Sequence, residues 1–530
     1  MKPSMEMSFL MSTPIKEKSL LTTVSVMMVI TLVGKAMGVL RDRMIAVNYG
    51  TGTIEATAFQ QANLLPRLFL DVMFAAVFAA SFIPVFNQYL ENKGKQAAFD
   101  LAARFVLLIF MMTATIAILG MIFASPVLIL VHGNVAPEVN ALATVLLRIL
   151  FPTLILSGVA FSLTGILHSL GEFNIPAAMS VATNGIILIY FFFFIDYFGI
   201  YGLAVAFVIG WGMQLLIQVP FLVKQKFRLR WFKVAPWRDE GIRQIAQLSL
   251  PVMVATWVGP VNLWVNSRAA SSLNDGGHSF NAIIYANSLY VVIAGLFILS
   301  LANVLLPKLS RFAVSEDWDG FASFLRGRLR GLFFLLFPTT FGLMAIAEPL
   351  VRLVYEDGLF QEKSVAVTST ALFFFSLGIT GFGLQSILSR ACYALQDGRA
   401  PLITGIIAMA VNLVLSFTLA PIMEIGGIAL ASSIAISTAA VGLFVMLRRK
   451  MPNHSLWTRE MTLDAVKMLA MSIIMYLAVR HGTGRLELSR LFAVAVPVGF
   501  GATVYMVGCF ALKIPETQAL LNWLKNKKFG

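Results

Sequence analysis

At 530 residues, 58% of them apolar and only 12% charged, the chain lies far outside the composition of soluble domains, and apolar runs of about 20 residues recur from end to end. A soluble globular protein is excluded, and the fold class expected is an all-α polytopic membrane protein. The excess of 40 Lys plus Arg over 26 Asp plus Glu would suggest a nucleic-acid partner in a soluble domain. Here the basic residues sit in short loops on one side, where they report orientation instead.

Lys2, Lys16 and Lys18 precede the first apolar run, as in a secretory signal. That run is too long and ends in LRDR with no small-residue cleavage site, so it reads as a retained first span. With it the chain has fourteen candidate spans, near 19–41, 59–88, 99–131, 140–168, 175–197, 200–223, 243–272, 279–306, 323–354, 365–391, 401–421, 426–447, 462–480 and 489–513.

The loops sort by charge. Those after even-numbered spans carry Lys93 and Lys95, Lys224 to Arg238, Lys308 to Arg328, Arg390 and Arg399, and Arg448 to Arg459, and the tail adds Lys525, Lys527 and Lys528. The loops HGNVAPEVN, IDYFG, NDGGHS and APIMEIG hold no Lys or Arg. Both termini are therefore expected in the cytoplasm. One loop dissents, because Arg480, Arg485 and Arg490 would lie outside; either spans 13 and 14 are arranged differently or these arginines meet lipid phosphate. The connector over 224–242 alternates basic and aromatic residues, and reads equally as a segment lying on anionic headgroups or as a plain basic loop. Cys392 and Cys509 show no metal or redox spacing and are expected in the core without a disulfide.

The chain also resembles itself. GIYGLAVA at 199–206 matches EIGGIALA at 424–431, with Gly202 over Gly427 at a shift of 427 minus 202, or 225. The same shift lays Glu172 on Asp397 and Pro176 on Pro401, and a shift of 223 lays Pro84 on Pro307 and Pro126 on Pro349. The expected layout is two parallel six-helix repeats, 1–223 and 243–450, joined by the connector and followed by an extra C-terminal helix pair within 451–530. With an even number of spans, both copies start on the same side and are related about an axis along the membrane normal. A substrate would then bind near the midplane, between bundles that rock against each other, and a groove beside the extra pair would receive a lipid tail.

Charge inside the spans is costly, at roughly 2.5 to 3.5 kcal/mol per residue even on the lenient insertion scale, so such residues face protein, water or ligand. The first span carries Lys35, Arg41, Asp42 and Arg43 in TLVGKAMGVLRDR. Lys35 and Asp42 share a helical face with Arg41 and Arg43 flanking it; the alternative is that Arg41 to Arg43 snorkel outward as an interfacial anchor. In span 2, Arg67 and Asp71 are one turn apart and either serve a site or neutralise each other. In span 7, Arg268 falls on Arg43 at the 225 shift. Arg148 and Arg352 are weaker candidates, and Arg352 has Glu348 one turn away as a partner.

The set is mostly cationic, which disfavours a site for cationic drugs and favours phosphate, diphosphate or uronate ligands. No Walker sequence, metal cluster or nucleophile constellation stands out. The chain reads as a transporter and not an enzyme, without a cofactor, driven by an ion gradient or by the membrane potential at about 2.3 kcal/mol per charge per 100 mV.

These residues resemble a known family. GKAMGVLRDRMIAVNYG, AASFIPVFNQYL, ANVLLPKLSRF and SRACYALQDGRAPL are similar to motifs of the MurJ (MviN) lipid II flippases, within the multidrug/oligosaccharidyl-lipid/polysaccharide exporter superfamily. The resemblance covers spans 1 to 12 in order, and the motifs are specific as a set and weak singly. It implies export of an undecaprenyl-diphosphate-linked glycan, lipid II, from the inner to the outer leaflet by alternating access, in a bacterial plasma membrane. It further implies essential arginines in a central cavity; the partners expected beside the lipid-linked glycan and the bilayer are cell-wall synthesis enzymes and no nucleic acid, with the chain a monomer. Arg41 and Asp42 match the family's Arg-Asp, and Lys35 stands where the family usually has arginine. Two departures concern the substrate. The span 2 arginine falls on Leu70, with Arg67 one turn earlier, and the span 8 Ala-Asp-Arg-Leu reads Ala286-Asn287-Ser288-Leu289, which leaves Arg268 as the candidate replacement. A flippase for another polyprenyl-linked glycan is the alternative; an ion-coupled drug antiporter is disfavoured by the cationic set.

Overall fold

The computed structural model describes residues 17–73, 81–133, 136–229, 237, 239–256, 258–273, 275–451, 453–483 and 489–518, the side chains of 17–25, 69–73, 250–256, 258, 296–304 and 307 excepted. Most of the basic and aromatic connector, Arg485, the basic tail and the side chains of Leu70 and Asp71 lie outside the described residues.

Every extended element among the described residues is a helix. In order these are α1 (Glu17–Tyr49), α2 (Ile54–Met73), α3 (Ile83–Asn92), α4 (Gly94–Ile122), α5 (Ala124–His132), α6 (Pro137–Leu150), α7 (Pro152–Ser169), α8 (Asn174–Phe193), α9 (Ile195–Leu216) and α10 (Val219–Lys224). Then follow α11 (Glu240–Thr256), α12 (Val258–Ser271), α13 (His278–Val314), α14 (Trp318–Ala345), α15 (Ala347–Tyr355), α16 (Glu362–Ser376), α17 (Gly378–Ala394), α18 (Arg399–Lys450), α19 (Arg459–Gly482) and α20 (Phe492–Ala511). Helices are what a bilayer permits, since hydrocarbon offers nothing to an unpaired backbone group. Seven helices among the described residues are long and apolar enough to cross; nine are, if two bent pairs each form one span. Those pairs are α14 with α15, bent by 68°, and α16 with α17, bent by 43°.

The places where the helices break carry the repeat seen in the sequence. Gly199 and Glu424 both turn left-handed inside otherwise continuous helix, at φ 50° and φ 51°, and lie 424 less 199, or 225, positions apart. Gly133 and Gly358, at φ 83° and 48°, and Gly171 and Gln396, at φ 80° and 56°, are separated by the same 225 positions. The cap residues match as well. The Glu172 carboxylate accepts from the amides of Asn174 and Ile175 at 2.8 and 3.2 Å, and that of Asp397 from Arg399 and Ala400 at 3.0 and 3.2 Å. Both satisfy the orphan amides that begin a helix. Between the two halves of α18, where the sequence suggested a loop at APIMEIG, a single reversed residue, Glu424, makes the break.

Contacts divide the chain into two compact units. The first contains residues up to Arg41, Ala62–Ala124 and Val145–Met253. Its core joins α3, α4 and α7 through Phe82, Phe86, Phe99, Phe105, Leu154 and Ile166, with Phe82 stacked on Phe105 at 4.7 Å. Arg104 pairs with Asp239, whose other carboxylate oxygen caps α11. Between membrane helices close packing replaces the hydrophobic drive, and small residues permit it. A side chain at Gly34 would lie 2.3 Å from Ser180 Oγ, so α1 and α8 meet there backbone to side chain.

The second unit contains Asp42–Gln61, Ser125–Thr144 and Val254–Gly530. In it α13 packs on α16 and α17, α17 on α18, and α19 on α14. The last two helices are tied in by polar contacts. Arg330 of α14 pairs with Asp464 at 2.6 Å and Glu516 at 2.9 Å, and Tyr505 OH donates to Phe334 O at 3.0 Å. Cys392 and Cys509 are buried.

Candidate functional site

In the first unit, α1 presents Lys35 and Arg41 two turns apart, both half-buried. Arg41 Nη1 donates to Asn184 Oδ1 at 3.0 Å, its guanidinium lies 5.8 Å from the Phe207 ring centre, and Asn184 Nδ2 donates on to Gly34 O at 3.1 Å. Arg41 is thus held in part by Asn184 of α8 and the Phe207 ring of α9. Lys35 forms no ion pair or hydrogen bond among the described residues. A half-buried cation without a carboxylate is stabilised by any anion that reaches it. Arg67, which follows Pro66 in α2, is exposed. Arg148 is instead committed to its neighbour, with Nε donating to Met121 O at 3.1 Å.

In the second unit, the last turns of α1 and the following loop are bound to the C-terminal helices. Asp42 Oδ2 accepts from Ser288 Oγ of α13 at 2.6 Å, and Asn287 is half-buried beside it. Arg43 caps the end of α15: Nη1 donates to Val354 O at 2.6 Å and Leu353 O at 3.3 Å, and Nη2 lies 3.3 Å from Asp357 Oδ2. A cation on the last carbonyls of a helix also meets the negative end of its dipole.

Arg268 sits in the matching place. A Cβ built on Gly133 would lie 1.3 Å from Arg268 Nη1, so the guanidinium occupies the space just beyond the end of α5 that the missing side chain leaves open. One helical turn before it, Trp264 Nε1 donates to Val131 O at 3.0 Å. Arg43 and Arg268 are 225 positions apart, and α5 and α15 begin 347 less 124, or 223, apart. Each arginine therefore reaches the end of the short helix that belongs to the other half of the sequence.

A polar seam accompanies these contacts. Thr51 Oγ1 lies 2.7 Å from His278 Nδ1 and 2.7 Å from Ser364 Oγ, and Asn281 Nδ2 donates to Thr51 O and Thr57 Oγ1 at 2.7 and 2.9 Å. His132, 1% exposed, has Nε2 3.3 Å from Gln61 O and stands edge-on to Phe280 at 5.4 Å. Uncharged residues in loops and helix ends gave no sequence signal of this seam; only the repeat offset could have directed attention to it. That offset also explains a charge asymmetry. Asn266 falls on Arg41 at 225; its Oδ1 accepts from Asn412 Nδ2 of α18 at 2.9 Å, where Arg41 donates to Asn184.

Arg352 has more partners than Glu348 alone: Glu348 at 2.9 Å, Glu356 at 2.6 Å and Glu362 at 2.6 Å. Glu356 also draws in Arg490 at 3.4 Å, and Arg490 Nη1 donates to Glu356 O at 2.7 Å. The dissenting loop therefore places one of its arginines on a carboxylate. Arg480 donates to Tyr476 OH at 2.8 Å.

Comparison with known proteins follows this geometry. Residues 45–494 match the family described as MurJ, lipid II flippase MurJ. A probable lipid II flippase MurJ of Vibrio cholerae is 30% identical over 432 residues, covering 79% of this chain and 81% of its own. The lipid II flippase MurJ of Burkholderia cenocepacia is 26% identical over 426 residues, covering 79% of this chain and 82% of its own. Among solved structures, a lipid II flippase MurJ in an inward closed conformation superposes with a TM-score of 0.77 at 21% identity, over 92% of this chain and 98% of that one. An inward-facing multidrug resistance MATE transporter of the MOP superfamily reaches 0.66 at 14% identity, over 79% and 94%. The chain is an integral membrane protein of the fold these transporters share, and it belongs to the lipid II flippase MurJ family.

Proposed function

We infer that this chain translocates lipid II, an undecaprenyl-diphosphate-linked peptidoglycan precursor, from the inner to the outer leaflet of a bacterial inner membrane by alternating access. The observation that carries this reading is the family match over residues 45–494, most of the chain. The charges agree with it. Lys35 and Arg41 are two cations on one helix at half-buried positions, and a diphosphate needs cationic partners. We assign Lys35, Arg41 and Arg67 to the headgroup's path. Arg43 and Arg268, with Asp42 and Ser288, we assign to a latch that holds one end of the transport pathway shut.

The fourteen spans are read as two six-helix copies and an appended pair. The 225-residue spacing of the left-handed breaks and of the Glu172 and Asp397 caps supports that layout. With the N-terminus in the cytoplasm, the latch residues Arg43 and Arg268 follow one and seven spans, so the end bearing the latch is the outer one, and an even total returns the C-terminus to the cytoplasm. Transport draws on the membrane potential or an ion gradient, without a cofactor and without catalysis. Expression in a host depleted of its own lipid II flippase tests the function: growth and outer-leaflet lipid II should both recover. Good membrane expression without recovery of either would move the assignment to another polyprenyl-linked glycan.

A further inference from the structure

The second unit holds a cavity of about 1040 Å³ beside α19, the first helix of the extra pair, lined by α14, α17, the end of α18 and the start of α19; the sequence alone suggested a groove there for the tail of the transported lipid. Its walls are apolar, formed by Leu329, Phe333, Leu384, Val441, Phe444 and Val445, while Arg448, Arg449 and Arg459 stand at one end. The connector between α18 and α19 folds back to form that end. Leu456 is 2% exposed, and the Trp457 ring lies edge-on to Phe333 and Phe444 at 5.7 and 5.9 Å. Trp457 Nε1 donates to Thr462 Oγ1 at 2.7 Å, so the indole is fixed with its polar edge toward the helix end. An anchored tryptophan between an apolar wall and a basic rim is the arrangement found at headgroup depth.

The neighbouring charges are already committed. Lys450 pairs with Asp397 at 2.7 Å, and Arg326 donates to Ser455 O. His454 faces Asp319 at 3.6 Å. Arg448, Arg449 and Arg459 are exposed and meet no carboxylate among the described residues, although Glu460 follows Arg459 in the chain. Three arginines around the mouth of an apolar groove complement a ligand with one or two hydrocarbon chains and an anionic phosphate.

We propose that this groove binds an anionic phospholipid of the leaflet that faces the basic loops, with its acyl chains along Phe333, Val441 and Phe444 and its phosphate among Arg448, Arg449 and Arg459. The groove shares no residue with the headgroup path assigned to Lys35, Arg41 and Arg67, and its occupant is a membrane lipid and not the transported one. Removing each charge should weaken binding about fivefold, the factor that about 1 kcal/mol per cationic residue represents.

Native mass spectrometry of the purified full-length protein, with phosphatidylglycerol, phosphatidylcholine and undecaprenyl diphosphate as separate probes, tests this. The wild type should retain phosphatidylglycerol over phosphatidylcholine. Arg448→Gln with Arg449→Gln and Arg459→Gln should abolish that preference and leave undecaprenyl diphosphate binding unchanged. The triple lysine variant should keep the preference. Val441→Trp, at a position 63% exposed on the groove wall, should reduce phosphatidylglycerol binding with every arginine present. An unchanged preference in the triple glutamine variant would overturn the proposal, as would an equal loss of undecaprenyl diphosphate, which would make the groove part of the substrate path. Full phosphatidylglycerol binding by Val441→Trp would place the lipid elsewhere.

Discussion

Lys35 and Arg41 differ in how the protein holds them, and the difference sets what each should do when changed. Arg41 has neutral partners in Asn184 and Phe207, so Arg41→Lys keeps the charge but loses the planar fork and the ring contact. We expect Arg41→Ala and Lys35→Ala each to lower outer-leaflet lipid II to background with normal protein in the membrane, and Arg41→Lys to retain part of the activity. Immunoblotting with the leaflet assay checks this, and full activity in both alanine variants would remove the pair from the headgroup's path. Lys35, Arg41 and Asp42 were legible in the sequence because charge inside an apolar run is costly whatever the fold. The division of labour among them was not. Adjacent residues of one helix, Arg41 and Asp42, belong to different compact units, and no periodicity separates two neighbours in that way.

At the scale of elements, the short helices α5 and α15 end under Arg268 and Arg43. Gly133 is favoured there by its φ of 83°, and a side chain at that position would have to displace the Arg268 guanidinium. Gly133→Ala should therefore disturb the latch as much as Arg268→Ala does, although alanine removes no contact. In a Thr51→Cys background, either change should raise labelling by an impermeant maleimide about tenfold, and unchanged labelling in both would detach Arg268 from the latch. Caps can be tested separately. Asp397→Ala removes the carboxylate that accepts from the first amides of α18 and the Lys450 pair at once, and should destabilise the start of α18 by about 1 kcal/mol. Asp397→Asn keeps the capping oxygen and should cost less in a thermal melt. An equal loss in both variants would assign the effect to the ion pair. The repeat was legible from four short matches because its anchors are residues with fixed local tasks, capping at Glu172 and Asp397 and reversing the chain at Gly199 and Glu424. The seam of Thr51, His278, Ser364 and Asn281 was not, since small polar residues at helix ends look alike until their partners are known.

For the whole molecule, the function turns on whether the seam opens as lipid II crosses. Thr51 and Ser364 are 0% and 4% exposed, and their oxygens lie 2.7 Å apart. Cysteines at both positions have near-native volume and stand close enough to bond. In a host whose only lipid II flippase is the Thr51→Cys, Ser364→Cys chain, outer-leaflet lipid II should fall to background when the disulfide forms and return on reduction, while each single variant stays active. Undiminished outer-leaflet lipid II with the crosslink complete would contradict the account.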